Sequence, residues 1–191
     1  MTGLAWAFLD TPVGPVSVGC SHAGVARVRY RRPAGPTRGE RGVATRSAEN
    51  GAAAGFAQGV RAELHEYFHG GRRTFDVPVD WGSTGGTQLR VLTVLAETVG
   101  YGETISYGGL ARRAGLPTDP AAARIVGATM AANPVPIIVP CHRVLASDGL
   151  GGYSGGNGVE VKRWLLILEG SHPPTLDWDS RGVSGGRPPD L

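Results

Sequence analysis

NPVPIIVPCHRV, residues 133–144, is the stretch of this chain that says most about its fold and chemistry. Prolines surround an apolar run from Val135 to Val139, and the run delivers Cys141 directly beside His142. Because proline restricts the backbone, such a segment holds a reactive atom in one place. An adjacent imidazole can accept the thiol proton and favour the nucleophilic thiolate. The stretch predicts a nucleophilic cysteine, with a buried core thiol as the simpler alternative.

Glu169 offers the third group of a Cys/His/Glu relay. It ends the apolar segment WLLILE, which we interpret as a helix, and its carboxylate could orient the His142 imidazole. A Cys/His pair also occurs in hydrolases, which turn over many substrates. A hydrolase would need an oxyanion hole and access for water, and the sequence indicates neither beyond the Cys/His pair.

Two short helices are predicted upstream of this stretch. Ser106 is suited to cap the helix YGGLARRA, which Gly115 closes. Asp119 can cap the helix AAARIVGATMAA, with Pro120 at its first position. Two helices across a Gly/Pro turn form a helix-turn-helix pattern, which is typical of DNA-binding proteins but also of ordinary helical corners.

One face of the second predicted helix carries almost only small residues. They are Ala121, Ala122, Ala123, Gly127, Ala128, Ala131 and Ala132. Such a face either packs against another helix or lets the backbone approach a groove wall, with Arg124 projecting as the one long side chain. The helix lacks the several Arg, Asn or Gln side chains that read bases in the major groove. DNA binding by this helix would therefore have little sequence preference and would suit the minor groove.

Composition and charge narrow the function classes. The net charge of +3 only weakly indicates a polyanionic partner. No apolar run approaches the roughly 20 residues of a membrane helix, and MTGLAWAFLD does not resemble a secretion signal, so we expect a cytoplasmic protein without membrane contact.

Cys20 and Cys141 are expected to stay reduced. Cys20 and His22 alone do not make a zinc site, so no metal is expected.

Residues 84–170 resemble the O(6)-alkylguanine-DNA alkyltransferases, also called methylated-DNA–protein-cysteine methyltransferases. The opening stretch looks like their active-site signature. Four further motifs match in order: YGETISYG, AAARIVG, GGYSGG and KRWLLILEG. The resemblance implies a DNA-repair enzyme that acts as a monomer on double-stranded DNA containing O(6)-alkylguanine. It would flip out the lesion, transfer the alkyl group irreversibly to Cys141 without a cofactor, and act only once.

The resemblance also implies roles at the DNA surface. Arg124 would enter the base stack and fill the space that the flipped nucleotide leaves. Its helix would lie in the minor groove and contact DNA through Ala123, Gly127 and Ala128. Tyr107 would help to rotate the backbone phosphate and then donate a hydrogen bond to the purine.

By the same resemblance, His142 would take the proton of the Cys141 thiol and would be linked through water to Glu169. Asn133 would brace the turn between the DNA-binding helix and the cysteine. The substrate pocket would be lined by Pro136, Val144, Tyr153 and Ser154.

The fold class follows from the pattern along the chain and from this resemblance. Residues 1–82 predict an α/β scaffold domain, of ribonuclease-H-like shape by resemblance. It would comprise a β-meander over 4–30, a mobile loop over 31–55, a helix from Phe56 to Gly70-Gly71 and an edge strand TFDVPVDW. Residues 83–170 predict a mainly α DNA-binding and alkyl-acceptor domain with a winged-helix-like helix-turn-helix. The composition of residues 171–191 predicts a disordered tail.

The chain departs from the family pattern at a few positions. Thr87 and Thr93 stand where aromatic residues are common, Ala131 replaces a basic residue of some members, and the loop after Gly155 is longer. Two further alternatives remain open. A damage sensor that binds the lesion without repairing it would lack the acceptor cysteine, and a helix-turn-helix regulator could sense alkylation through Cys20.

Overall fold

Three short β-rich runs at the start of the chain, separated by turn residues, form an antiparallel sheet. The computed structural model describes residues 3–31, 48–82 and 84–174. Strands β1 (Ala5–Thr11), β2 (Gly14–Ser21) and β3 (Gly24–Arg29) pair in the order β1-β2-β3, which confirms the predicted meander. Gly24 has a φ of 138°, and a Cβ there would lie 2.1 Å from the carbonyl oxygen of Pro78. Only glycine fits this turn.

A long helix, α1 (Ala48–Phe68), packs against the sheet. The predicted loop over 31–55 is therefore wrong from residue 48 onward, and residues 32–47 lie outside the described residues. The reason is that alanine continues the buried stripe: Ala53 and Ala57 are buried in line with Val60 and Leu64. The alanines before Phe56 were not counted among the apolar positions of the predicted helix, although alanine is the best helix former. The predicted end of the helix at Gly70-Gly71 is confirmed, with Gly70 at a φ of 74°.

The predicted strand TFDVPVDW is wrong. Within the described residues a single β-bridge forms there, between Val79 and Val25. The Val25 amide donates to the Pro78 carbonyl at 2.8 Å, and the Asp80 amide donates to the Val25 carbonyl at 2.9 Å. Pro78 has no N–H with which to extend the ladder, so the pairing does not grow into a strand.

The second part of the described chain is mainly helical. Its elements are α2 (Gly86–Thr98), β4 (Ile105–Ser106), α3 (Tyr107–Arg113), α4 (Pro120–Ala131), a 3-10 turn (Cys141–Arg143), β5 (Val144–Leu145) and α5 (Val159–Leu168). Both predicted caps are confirmed: Ser106 Oγ accepts from the Gly109 amide at 3.0 Å, and Asp119 Oδ1 accepts from the Ala122 amide at 2.9 Å. Strands β4 and β5 form a short parallel pair.

The fold is mixed α/β, with small sheets and five α-helices in the described residues. One hydrophobic core contains residues from the sheet, from α1 and from the helices of the second part. A hydrogen bond from the Val28 amide to the Pro134 carbonyl, 2.9 Å long, ties β3 to the segment before the cysteine. Among the helices described, none combines the length and the apolarity needed to cross a membrane. Of the predicted tail, residues 175–191 lie outside the described residues.

Candidate active site

The turn before Cys141 is held from within by Asn133. Its amide nitrogen donates to the Val139 carbonyl at 2.9 Å, and its Oδ1 accepts from the Val135 amide at 3.1 Å. Ile137 is buried within the turn and has a φ of 76°, a conformation that β-branched residues rarely adopt. Prolines and two hydrogen bonds to one side chain therefore hold a strained backbone that delivers the cysteine.

Cys141 begins the 3-10 turn, and only 5% of its surface is exposed. Burial raises the pKa of its thiol, although hydrogen bonds from Asn133 and Tyr153 and the charge of Lys162 act in the opposite direction. The expectation that the neighbouring imidazole favours thiolate does not describe this resting state, because the desolvation of a buried thiolate outweighs the other effects. Cys141 rests as a thiol and must lose its proton during any reaction.

His142 is fully buried and contacts Glu169 directly. Its Nε2 lies 3.0 Å from Glu169 Oε1, so the expected water between the two residues is wrong. Burial lowers the pKa of His142 despite the neighbouring carboxylate, and the imidazole is neutral at pH 7. An ionised carboxylate only accepts hydrogen bonds, so Nε2 carries the proton and Nδ1 holds a lone pair. Within the described part of the chain, this buried Nδ1 has no hydrogen-bond partner.

Glu169 is ionised because four hydrogen bonds converge on it. Besides His142, Arg143 donates from Nε to Oε2 at 2.8 Å and from Nη2 to Oε1 at 2.9 Å. Tyr67 of α1 donates its hydroxyl to Oε1 at 2.7 Å. Burial alone would raise the pKa of Glu169, but the bonds from His142 and Arg143 hold it well below its usual value. The first part of the chain thus contributes a side chain to the site.

Sequence reasoning missed Tyr67 and Arg143. Tyr67 looked like one more apolar position on a helix, and nothing local indicated its partner. Arg143 carried a usable signal, because an arginine within a run of apolar residues needs a buried counter-ion. Its third contact, from Nη1 to the Val99 carbonyl at 2.7 Å, also ties it to the end of α2.

Lys162, the only lysine of the chain, was also missed. It is buried in α5, and its Nζ donates to the Val144 carbonyl at 2.6 Å and to the Gly152 carbonyl at 3.3 Å. Burial lowers the pKa of Lys162 to about 8. A single lysine within an apolar helix was the available signal. Because a carbonyl oxygen has two lone pairs, Val144 can still accept a second hydrogen bond from a substrate.

Two cavities open beside Cys141 and share Met130, Tyr153 and Ser154 as lining residues. The helix-side cavity, about 360 Å³, is also lined by Tyr107, Gly127, Ala131 and Gly152. The sheet-side cavity, about 380 Å³, is also lined by Val28, Arg29, Tyr30, Arg31, Asn133, Pro136, Gly155 and Gly156. Of the predicted pocket residues, Pro136, Tyr153 and Ser154 line these cavities. Val144 does not, and reaches the site through Lys162.

The outer face of α4 lies next to the helix-side cavity. Arg124 and Ala128 are exposed, while Ala123 and Gly127 are half-buried. Ile125, which sequence reasoning did not select, is 42% exposed beside Arg124. Tyr107 begins α3 and approaches α4 so closely that a Cβ on Gly127 would lie 3.9 Å from its ring. Arg124, the small residues and Tyr107 therefore share one surface beside the thiol.

Cys20 lies apart from these groups in β2. Its side chain is fully buried and free, and burial raises the pKa of its thiol to about 12. Such a thiol packs in the core and is unreactive, which argues against a sensor built on Cys20. Over residues 3–31, 48–82 and 84–174, no three His, Cys, Asp or Glu side chains lie close enough to hold a metal ion.

Comparisons with known proteins agree with this geometry. Residues 86–171 match the family model described as the 6-O-methylguanine DNA methyltransferase DNA-binding domain. The methylated-DNA–protein-cysteine methyltransferase of Mus musculus is 50% identical over 94 residues, 49% of this chain and 42% of that protein. The DNA base-flipping protein of Thermus thermophilus is 38% identical over 167 residues, 86% of this chain and 99% of that protein.

A solved structure, Mycobacterium tuberculosis OGT in complex with DNA, is also similar. It has a TM-score of 0.70 and 35% sequence identity, and the match covers 87% of this chain and 93% of that one. The matches to the proteins of Mus musculus, Rattus norvegicus and Cricetulus griseus span less than half of each relative's length.

Proposed function

Because the chain belongs to the family of methylated-DNA–protein-cysteine methyltransferases, we propose that it repairs O(6)-alkylguanine in double-stranded DNA by transferring the alkyl group to Cys141. The observation that carries the proposal is the position of the buried Cys141 thiol. It lines a cavity that also contains Tyr107 and borders α4. A nucleophile at this place can meet a base that leaves the duplex beside α4.

DNA binding uses the outer face of α4. Its small residues let the helix backbone approach the minor groove, and Arg124 enters the stack when the alkylated nucleotide flips out. The flipped purine enters the helix-side cavity. There Tyr107 donates a hydrogen bond to it, because burial raises the pKa of Tyr107 and keeps its hydroxyl protonated. The carbonyl of Val144 accepts from the exocyclic amine of the base.

Alkyl transfer is an in-line displacement. The Cys141 proton passes to Nδ1 of His142, and the sulfur forms a bond to the alkyl carbon as the bond from that carbon to O(6) breaks. The guanine leaves with a negative charge that the hydrogen bond from Tyr107 stabilises. It becomes neutral when it takes up a proton from solvent, and His142 becomes neutral again when it releases to solvent the proton that it took from Cys141. The product at Cys141 is a thioether, which has no good leaving group. Each molecule therefore acts once and needs no cofactor.

We further propose the finer architecture that accompanies this function. Residues 1–82 form a scaffold domain of ribonuclease-H-like shape, supported by the three-stranded sheet with α1 packed on it. Residues 83–170 form a winged-helix-like DNA-binding and alkyl-acceptor domain, supported by α3, α4 and the β4-β5 pair. The protein acts as a cytoplasmic monomer, since one chain supplies every group that the mechanism uses.

A second candidate function is lesion binding with base flipping but without repair. It is favoured by the similarity to a DNA base-flipping protein over nearly that protein's full length. The two functions share α4, Tyr107 and the purine cavity. They differ in whether Cys141 becomes alkylated.

Intact-protein mass spectrometry distinguishes the two functions. The protein is incubated with a duplex oligonucleotide that carries one O(6)-methylguanine. Repair predicts a gain of a single methyl group, saturating at one per protein, which Cys141→Ala abolishes and the matched control Cys20→Ala retains. An unchanged mass with tight, lesion-dependent binding would establish the base-flipping function instead.

A further inference from the structure

Tyr30 brings an aromatic ring from the N-terminal sheet to the acceptor cysteine. It directly follows β3, and it lines the sheet-side cavity together with Cys141 and Tyr153. The hydroxyl oxygens of Tyr30 and Tyr153 lie 2.6 Å apart, and the two rings meet edge to face with centroids 6.2 Å apart. The mechanism proposed above uses Cys141 and the purine cavity but assigns nothing to Tyr30.

The Tyr30 ring packs tightly against the backbone of Gly155 and Gly156, which follow Tyr153. A Cβ on Gly155 would lie 2.4 Å from Cε2 of Tyr30, and a Cβ on Gly156 would lie 3.3 Å from Cδ1. Two consecutive glycines therefore let the ring touch the backbone. Because the ring cannot move toward this segment, it forms a fixed wall of the sheet-side cavity.

The geometry of displacement makes this cavity relevant to the substrate. In-line attack places sulfur, alkyl carbon and O(6) on one axis, and the other groups on that carbon spread sideways from it. A methyl group carries only hydrogens in those directions, whereas a larger substituent needs space beside the thiol. The purine occupies the helix-side cavity, so the sheet-side cavity is the adjoining space.

The wall that a substituent meets there is aromatic but polar. Burial raises the pKa values of Tyr30 and Tyr153, so both remain neutral phenols, and their hydroxyls share one hydrogen bond. A large apolar substituent that parted these hydroxyls would leave polar groups unpaired. Polarity therefore acts against large apolar groups.

We propose that Tyr30 is a specificity-determining residue, which limits the alkyl groups that Cys141 accepts by forming one wall of the sheet-side cavity and pairing with Tyr153. This inference rests on the proposed alkyl transfer. According to this inference, a residue next to the N-terminal sheet selects among substituents on O(6) of the substrate.

The test compares two duplex oligonucleotides, one with O(6)-methylguanine and one with O(6)-benzylguanine at the same position, in single-turnover reactions. Tyr30→Leu removes the ring and the hydroxyl, and we expect the ratio of benzyl to methyl transfer rates to rise about tenfold or more over wild type. Tyr30→Phe keeps the ring and removes only the hydroxyl. It should raise the ratio by less than Tyr30→Leu does.

Phe8→Leu is the matched control, because Phe8 is an exposed aromatic residue of the same sheet and should leave both rates unchanged. Thermal unfolding shows whether each variant is folded, and Tyr30→Met replaces Tyr30→Leu if the latter is not. A benzyl-to-methyl ratio equal to that of wild type in a folded, ring-free variant would overturn the inference. Failure of wild type to transfer methyl to Cys141 would instead overturn the proposed function.

Discussion

Cys141 keeps its proton in the resting state, because the desolvation of a buried thiolate outweighs the groups that favour it. The proposed reaction therefore depends on a base that is already neutral, and His142 meets this condition since burial lowers its pKa. Glu169 fixes the tautomer by accepting from Nε2, which leaves Nδ1 to accept a proton. In the resting site, Cys141 is thus a protonated nucleophile, and His142 is an oriented and uncharged base.

Replacing His142 tests this arrangement of protons. His142→Asn removes the acceptor, and we expect the single-turnover rate of methyl transfer to fall by about two orders of magnitude, the usual contribution of a general base. Lesion binding, measured by fluorescence anisotropy, should change little, because His142 lies in the interior. A variant that retained the wild-type rate would show that the thiol proton leaves by another route.

Replacing Glu169 tests the buried ion pair. Glu169→Gln leaves the Arg143 guanidinium without its counter-ion in the interior, and we expect the free energy of unfolding to fall by about 3–5 kcal/mol. Urea denaturation measures the loss. Glu160→Gln, which disrupts the exposed pair with Arg163, is the control and should have little effect. Equal effects of the two variants would contradict the assignment of Glu169 as a buried anion.

Helix α4 and the turn after it are stabilised in different ways. The helix begins at an aspartate cap with Pro120 in its first turn, and its exposed side carries Arg124 among small residues. The turn that follows keeps Ile137 in a left-handed conformation at a cost of order 1–3 kcal/mol, held by the side chain of Asn133. The exposed side of the helix is therefore available for the proposed contact with DNA, whereas the turn is fixed around the thiol.

The proposed role of Arg124 in base flipping can be tested separately from the alkyl transfer. We expect Arg124→Ala to slow methyl transfer from a duplex roughly ten- to a hundredfold, since the vacated stack is no longer filled. Reaction with the free base O(6)-methylguanine, which needs no flipping, should keep its wild-type rate. Arg163→Ala changes an arginine at the surface of α5 and serves as the control. Equal losses with duplex and free base would contradict a flipping role.

Elements with local signals were predictable from sequence, and elements that depend on distant partners were not. The caps at Ser106 and Asp119 act over three residues, so their pattern indicates the helix starts directly. The start of α1 was missed because Ala53 and Ala57 are buried only when the sheet lies beneath them. The predicted strand around Pro78 failed for the same kind of reason, since its one bridging partner among the described residues is the distant Val25.

The same distinction applies to the site. Cys141, His142 and Glu169 were found because they belong to motifs near one another in sequence. Tyr30 and Tyr67 come from the N-terminal part of the chain and reach the site only when the core forms across both parts. Folding of the complete chain therefore brings the cysteine motif together with side chains that no motif contains.

Stability should depend on pH through the buried groups of the site. His142 has a pKa below its usual 6.5 when folded, so the unfolded chain binds its proton first as pH falls below 6.5. The free energy of unfolding should therefore decrease below this pH, by at most about 1.4 kcal/mol per pH unit for one proton. Glu169, whose pKa is held below its usual 4.5, adds a further loss as pH falls below 4.5.

Urea denaturation at intervals from pH 8 to pH 4 measures this dependence. His142→Asn should flatten the curve between pH 6.5 and the onset of the Glu169 effect, whereas His22→Asn, at an exposed position, should keep the wild-type curve. Identical curves for wild type and His142→Asn would show that another group gives rise to the decrease.

The hydrogen bond from Tyr67 to Glu169 also bears on how such chains can be recombined. The two partners lie 102 positions apart, one in each of the two proposed domains. A chimaera that took its first part from a relative without a hydroxyl at this place would inherit every motif of the acceptor segment and still lack one donor to its central carboxylate. A chimaera is therefore expected to keep a stable site only when it contains both Tyr67 and Glu169. The two residues are thus expected to be conserved or replaced together, although they lie far apart along the chain.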